Sequence, residues 1–246
     1  LTTPPPPHPR PGPLHRLSFA LIIAQLGLMS LAWSLVAPLL SLLLPRRAGT
    51  RFGRSAISFI YRSAWSTAQR LGMMRIDSSA LDALRDEAGG LIVAANHPTM
   101  LDALVVVARL PRGVCIMKAE LSHNIFLGTG ARLARYIRND AGRGMVRDAV
   151  DCLKEGGQLV LFPEGTRMPP GETRRYGISG ALLAAETGRL IVPVAHDAGY
   201  YWPRRGLLKR AGTIRVVFGP PIQTAGRDPR EINAEAQEWI EAHSRQ

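Results

Sequence analysis

Residues 91–110 read LIVAANHPTMLDALVVVARL, and the order of properties within them decides the fold. Leu91 to Ala95 is an apolar run of strand length. Asn96, His97, Pro98 and Thr99 then break it with turn-forming residues. Asp102 stands where a helix through LDALVVVARL begins. Strand, polar turn, helix is the first half of a βαβ unit, and the turn carries a histidine and a carboxylate five positions apart.

The same grammar continues downstream. VCIMK (114–118), QLVLF (158–162), LIVPV (190–194) and TIRVVFGPPI (213–222) are strand candidates. Between them, Arg143 to Glu155 places Met145, Val146, Ala149, Val150 and Leu153 on one helical face and stops at Gly156 and Gly157. A further helix is expected over SGALLAAE (179–186), and a last one opens at Asp228, Pro229 and Glu231 with Ile232, Ala236, Trp239 and Ile240 on one side. Alternating strands and helices predict an α/β fold, a mainly parallel sheet flanked by helices. No internal repeat is present.

Upstream the character changes. Residues 1–16 are a proline-rich tail that reads as extended. From Leu17 to Pro45 no residue carries a formal charge, and LSFALIIAQLGLMSLAWSLVAPLLSLLL is too long for the apolar part of a signal peptide. It predicts a helical membrane anchor that tilts, kinks near Pro38 or turns back. Arg46, Arg47, Arg51 and Arg54 follow it, against Arg10 and Arg16 before it, which places the remainder on the cytoplasmic side of an inner membrane. The next segment, AISFIYRSAWSTAQRLGMM (56–74), reads either as an interfacial helix or as one packed on the catalytic domain. The expected divisions are a tail over 1–16, a membrane-associated helical region over 17–74 and a catalytic domain over 75–246.

The 246 residues, 46% of them hydrophobic, suffice for one substantial core, and the formal net charge of +12 seeks anions. With so long an apolar block, anionic lipid headgroups and phosphate-bearing substrates are the expected partners, and nucleic acid is not. Cys115 and Cys152 have no metal-ligand spacing, so no metal site and no bound cofactor are expected.

Histidine is the side chain suited to taking a proton from a hydroxyl near neutrality, which makes His97 the candidate base, and Asp102 is spaced to fix its tautomer and stabilise the imidazolium. No Gly-x-Ser-x-Gly elbow supplies an enzyme nucleophile, so the hydroxyl belongs to a substrate. At a second strand end QLVLFPEGTR brings Glu164, Gly165, Thr166 and Arg167 together. There a carboxylate meets a hydroxyl, a glycine admits close backbone approach, and Thr166 and Arg167 hold phosphate oxygens. Either stretch alone also fits an ordinary turn. His196 and Asp197 are adjacent and His123 lacks an acidic neighbour, so all three read as structural.

Together, NHPTMLD and FPEGTR resemble the glycerol-phosphate acyltransferase family that includes the 1-acylglycerol-3-phosphate acyltransferases. The resemblance covers residues 75–222. It implies that His97 is the general base, Asp102 its partner, and Glu164, Gly165, Thr166 and Arg167 the acceptor site. It further implies that Ile191 to Val194 line the acyl region, and that Arg138 or Arg135 in ARYIRND grips the acceptor phosphate. Lys118, ending VCIMK, is another anion contact. The reaction implied moves a fatty acyl group from acyl-CoA or acyl-carrier protein, as cosubstrate, to a lysophospholipid. The default acceptor is 1-acylglycerol-3-phosphate, giving phosphatidic acid in phospholipid biosynthesis. Other lipid acceptors such as lyso-ornithine lipid, a thioesterase, and a non-catalytic membrane protein binding anionic lipids are the competing readings. Oligomeric state is not set by these residues.

Overall fold

The computed structural model describes residues 12–85, 89–140, 142–202 and 211–244. Most of the proline-rich tail and the basic cluster at Arg204, Arg205, Lys209 and Arg210 lie outside the described residues.

Seven strands form one sheet: β1 (Met74–Asp77), β2 (Leu91–Ala95), β3 (Gly113–Met117), β4 (Ile137–Arg138), β5 (Gln158–Leu161), β6 (Ile191–His196) and β7 (Gly212–Phe218). Their order is β1-β7-β6-β2-β5-β3-β4. From β6 to β4 every neighbouring pair is parallel, whereas β7 runs antiparallel to β6 and β1 pairs parallel with β7. The central strand β2 is buried at all five positions, as a strand covered on both faces must be.

Alternation along the strands divides the core into two layers. Val93, Ala95, Val160, Val192 and Val194 face α2 (Arg46–Arg70) and α4 (Asp102–Val107). Ile92, Ala94, Leu159, Ile191 and Ala195 face α6 (Arg143–Lys154), α7 (Ser179–Thr187) and α9 (Pro229–His243). The Asp228 side chain accepts from the Arg230 N–H and caps α9, as its sequence predicts. In α6 the inward stripe is Ala149, Cys152 and Leu153, while Val146, expected on it, is exposed.

The apolar block is one continuous helix, α1 (Pro13–Leu43), of 31 residues and about 46 Å at 1.5 Å per residue. It does not turn back. Pro38 lies inside it and has no N–H to offer the Ser34 carbonyl one turn earlier. That carbonyl accepts instead from Thr129 Oγ1 at 2.7 Å, in α5 (Gly128–Leu133), so the acceptor freed by the proline is satisfied. α1 lies along the domain: Phe19 meets Trp202 edge-on at 6.2 Å, and Trp33 packs against Phe52 of α2 at 5.9 Å. α2 buries Ile57, Ile60, Tyr61, Ala64 and Ala68 in the sheet core. Its stripe was hard to read because small residues carry half of it.

Glycines set the spacing of these helices. A Cβ at Gly53 of α2 would stand 2.9 Å from the Ala134 main-chain nitrogen at the end of α5. The next residue, Arg54, donates its Nε–H to the Ala134 carbonyl at 3.1 Å. Gly53→Ala is therefore expected to push α2 off α5 and lower the melting temperature by roughly 3–10 °C, the effect of about 1–3 kcal/mol of overpacking in a chain of this size. Gly12→Ala, whose new Cβ meets nothing within 4 Å, should leave it unchanged. Thermal unfolding followed by circular dichroism in detergent checks both, and equal melting temperatures would show that the helices part freely.

Candidate active site

The turn after β2 is built around Asp102, the first residue of α4, whose side chain has no exposure. Its Oδ2 accepts from the Thr99 N–H at 2.7 Å and lies 2.8 Å from His97 Nδ1. Its Oδ1 accepts from the Thr99 hydroxyl, which in turn accepts from the Leu101 N–H at 2.9 Å. The carboxylate also sits in the first turn of a helix, where the dipole favours negative charge. With Nδ1–H committed to Asp102, His97 keeps its lone pair on Nε2. The ring is 24% exposed and stacks on Phe162 at 4.3 Å, which leaves its free edge as the reactive one.

The loop after β5 grips the same histidine by its main chain. His97 N–H donates to Glu164 Oε1 at 3.3 Å, and Met168 N–H donates to the His97 carbonyl at 2.9 Å. Gly165 makes the required bend with φ 69°, in the left-handed region. Glu164 is buried, and its Oε2 has no hydrogen-bond partner among the described residues. Desolvation is the main cause raising its carboxyl from 4.5 to about 7, opposed by the hydrogen bond from His97 N–H.

His97 opens onto an apolar cavity of about 350 Å³, within the size range of small-molecule sites. Trp33 of α1, Ile57 and Tyr61 of α2, Leu104 of α4 and Cys115 of β3 wall it, and Lys118 and Arg167 join His97 on its lining. The structure thus brings His97, Lys118 and Arg167 onto one cavity wall, with Asp102 buried behind His97 and Gly165 and Thr166 in the adjoining loop. Glu164 faces the His97 main chain and a small polar chamber on the other side of the turn.

The other residues expected at the site lie apart from this cavity. Arg138 is exposed on edge strand β4, and Asp140 two residues on takes its guanidinium at 3.0 and 2.6 Å, so it does not line the cavity. Arg135 is 3.5 Å from Glu155 and is likewise absent from the cavity wall. Ile191 to Val194 are buried inside the sheet between β2 and β7 and do not line this cavity. Sequence reasoning also missed two members. Asn96 donates to the His196 carbonyl at 2.8 Å and accepts the His196 N–H at 3.0 Å, clamping the end of β6 beside the turn. His196 Nε2 thereby lies 3.9 Å from Asp102 Oδ1. The shared position of His97 and His196 just past the ends of two apolar runs was the available signal.

Comparison with known proteins agrees with this geometry. Residues 75–197, half of the chain, match the family model described as Acyltransferase. The chain belongs to the acyltransferase family. Among curated members, the 1-acyl-sn-glycerol-3-phosphate acyltransferase of Pseudomonas aeruginosa is 37% identical over 134 residues, 51% of this chain and 52% of that protein. Its namesake from Cocos nucifera is 28% identical over 152 residues, 58% of this chain and 49% of that protein. The chain spans about half the length of these curated relatives. The crystal structure of the 1-acyl-sn-glycerophosphate acyltransferase PlsC from Thermotoga maritima superposes with a TM-score of 0.76 over 94% of this chain and 93% of that one. At 20% identity it shows that the acyltransferase fold is shared.

The raised carboxyl of Glu164 has a thermodynamic signature. A group that holds its proton more tightly when folded stabilises the fold below its unfolded value and loses that contribution as pH climbs through the folded one. From about pH 4.5 to about 7 the protein is therefore expected to lose melting temperature relative to Glu164→Gln, which bears no such charge. Parallel melting curves across this window for the two proteins would place the Glu164 carboxyl in water.

Proposed function

We propose that this acyltransferase moves a fatty acyl group from acyl-CoA or acyl-carrier protein to the hydroxyl of a lysophospholipid, with 1-acylglycerol-3-phosphate the acceptor and phosphatidic acid the product. The observation that carries the reading is the His97–Asp102 pair at the mouth of an apolar cavity that Lys118 and Arg167 also line. The cavity suits an acyl chain, and the two cations suit a phosphate. Arg167, Thr166 and Gly165 hold the acceptor, Lys118 adds charge, and Glu164 contributes by fixing His97.

In this mechanism His97 Nε2 takes the proton of the acceptor hydroxyl as its oxygen attacks the thioester carbonyl. Asp102 stabilises the imidazolium and remains ionised. The tetrahedral intermediate collapses, the carbon–sulfur bond breaks, and the departing thiolate receives the proton from His97. An ester and a thiol result, and the enzyme is restored without a covalent intermediate.

Membrane attachment follows from the pattern of α1. Its buried residues are Ser18, Ile22, Ser30, Ser34 and Ala37, whereas Leu14, Leu17, Leu28, Leu35 and Leu42 are exposed. Small and polar residues toward protein with leucines outward is the arrangement of a helix whose solvent is lipid. The docked inner face favours a helix embedded along its length beside the catalytic domain, with that domain on the cytoplasmic side.

His97→Ala is expected to lower thiol release in the presence of acceptor by about a hundredfold to ten-thousandfold, the range for loss of a general base. Asp102→Asn should lower turnover with little change in acceptor binding, and the double variant should be scarcely worse than His97→Ala. Arg167→Ala should raise the half-saturating acceptor concentration more than that of the thioester. Purified protein assayed with acyl thioesters and a panel of lyso-lipids decides between readings. Free fatty acid as sole product would make it a thioesterase, and normal turnover by folded His97→Ala would refute the mechanism.

The protein should also stay with vesicles through a high-salt wash, because screening removes charge attraction and leaves apolar contact intact. Release by salt alone would assign attachment to the basic surface.

A further inference from the structure

His196 ends β6, is 2% exposed, and has no hydrogen-bond partner for either ring nitrogen among the described residues. Its main chain cannot drift, because the Asn96 amide holds it from both sides. Asp102 Oδ2 receives two donors, whereas Oδ1 receives only the Thr99 hydroxyl, and it is Oδ1 that lies 3.9 Å from His196 Nε2.

We propose that His196 is a positioning residue for the reaction, its Nε2–H directed at Asp102 Oδ1 so that the carboxylate's charge is shared between its two oxygens instead of concentrated toward His97. This rests on the reading of His97 as general base. At 3.9 Å the contact is one of charge and dipole, and an approach of about 1 Å makes it a hydrogen bond. The charged and titratable groups around the ring are His97 and Asp102 on the catalytic turn and α4, the adjoining Asp197, and Glu164, Glu172, Tyr176, Tyr200 and Glu241, which line the same small chamber. Burial pushes His196 below the ordinary imidazole value, against the pull of Asp102 and Asp197, so the ring is a neutral donor at neutral pH. A neutral donor on Oδ1 drains charge from Oδ2. His97 then binds its proton less tightly and yields it more readily to the departing thiolate. Because His196 does not line the apolar cavity, it has no contact through which to alter substrate binding there.

Two variants of the full chain separate this from simple packing. His196→Phe keeps the ring and removes both nitrogens, and His196→Gln returns an amide N–H near the position of Nε2. With acyl-CoA and 1-acylglycerol-3-phosphate, His196→Phe is expected to lower kcat by roughly tenfold to a hundredfold, leave both KM values within about twofold, and move the acid limb of the pH profile upward. His196→Gln should recover most of kcat and restore the limb. The titration of His97, followed by NMR in protein with labelled histidine and assigned by loss of its signal in His97→Gln, should rise in His196→Phe and return in His196→Gln. A folded His196→Phe with unchanged turnover and unchanged His97 titration overturns the proposal, as does an equal fall in both variants. If the wild-type protein acylates no lyso-lipid but the His97 titration still responds, the functional reading fails and the coupling stands. An active wild-type protein with no response in the titration sinks the coupling alone.

Discussion

A carboxylate kept wholly from water has to be met by donors, and Asp102 is that group here. Burying an ion costs several kcal/mol unless its oxygens are satisfied, so the surrounding chain has little freedom. Thr99 must turn both its N–H and its hydroxyl inward, and His97 must present Nδ1. The chain achieves this in the few residues between a strand end and a helix start. The loop after β5 then closes over His97 from both sides of its peptide. The position of the imidazole, and with it the mouth of the cavity, follows from the need to satisfy one buried charge.

The parts of this arrangement that are local in sequence were readable from it. The strands LIVAA, GVCIM, QLVL and IVPVAH are apolar runs, and the His97–Asp102 pair spans a single turn, so spacing alone suggests it. β1 reads MRID and β4 is only Ile137 and Arg138. MRID alternates apolar and charged residues but over only four positions, Ile137–Arg138 is too short to show a period, and both are strands because a neighbouring strand offers them an edge. His196 could not be placed beside Asp102 from sequence for a related reason. It stands 94 positions beyond Asp102 in the chain, and only the pairing of β2 with β6 brings the two together. Arg138 shows the opposite case: its partner Asp140 is local and in view within ARYIRND, so their ion pair is readable from spacing.

α1 shows how little length and apolarity decide. Its composition fits a helix that crosses a bilayer, yet Ser18, Ser30, Ser34 and Ala37 rest against protein while Leu14, Leu17, Leu28, Leu35 and Leu42 face outward. Composition averages over the two faces, and the face that packs on α2 and α5 is the one that lends Ser30 and Trp33 to the cavity. The apolar segment is thus part of the wall of the site as well as its surroundings.

The pairing of β1 has a consequence for the birth of the molecule. β1 is bonded only to β7, from Met74 beside Gly212 to Asp77 beside Arg215, so the first strand made waits for the last. While the intervening chain emerges from the ribosome, β1 is an open edge and α1 lacks Trp202, its contact near the N-terminal end. Such long-range closures are slow and expose sticky surface in the meantime. Under the membrane attachment proposed above, a helix with leucines outward would have somewhere to rest during that delay, because lipid would take up the greasy face before the rest of the protein exists to cover the other. Early capture by a bilayer would then act as a holding step in assembly, keeping the nascent chain from aggregating until its final strand arrives.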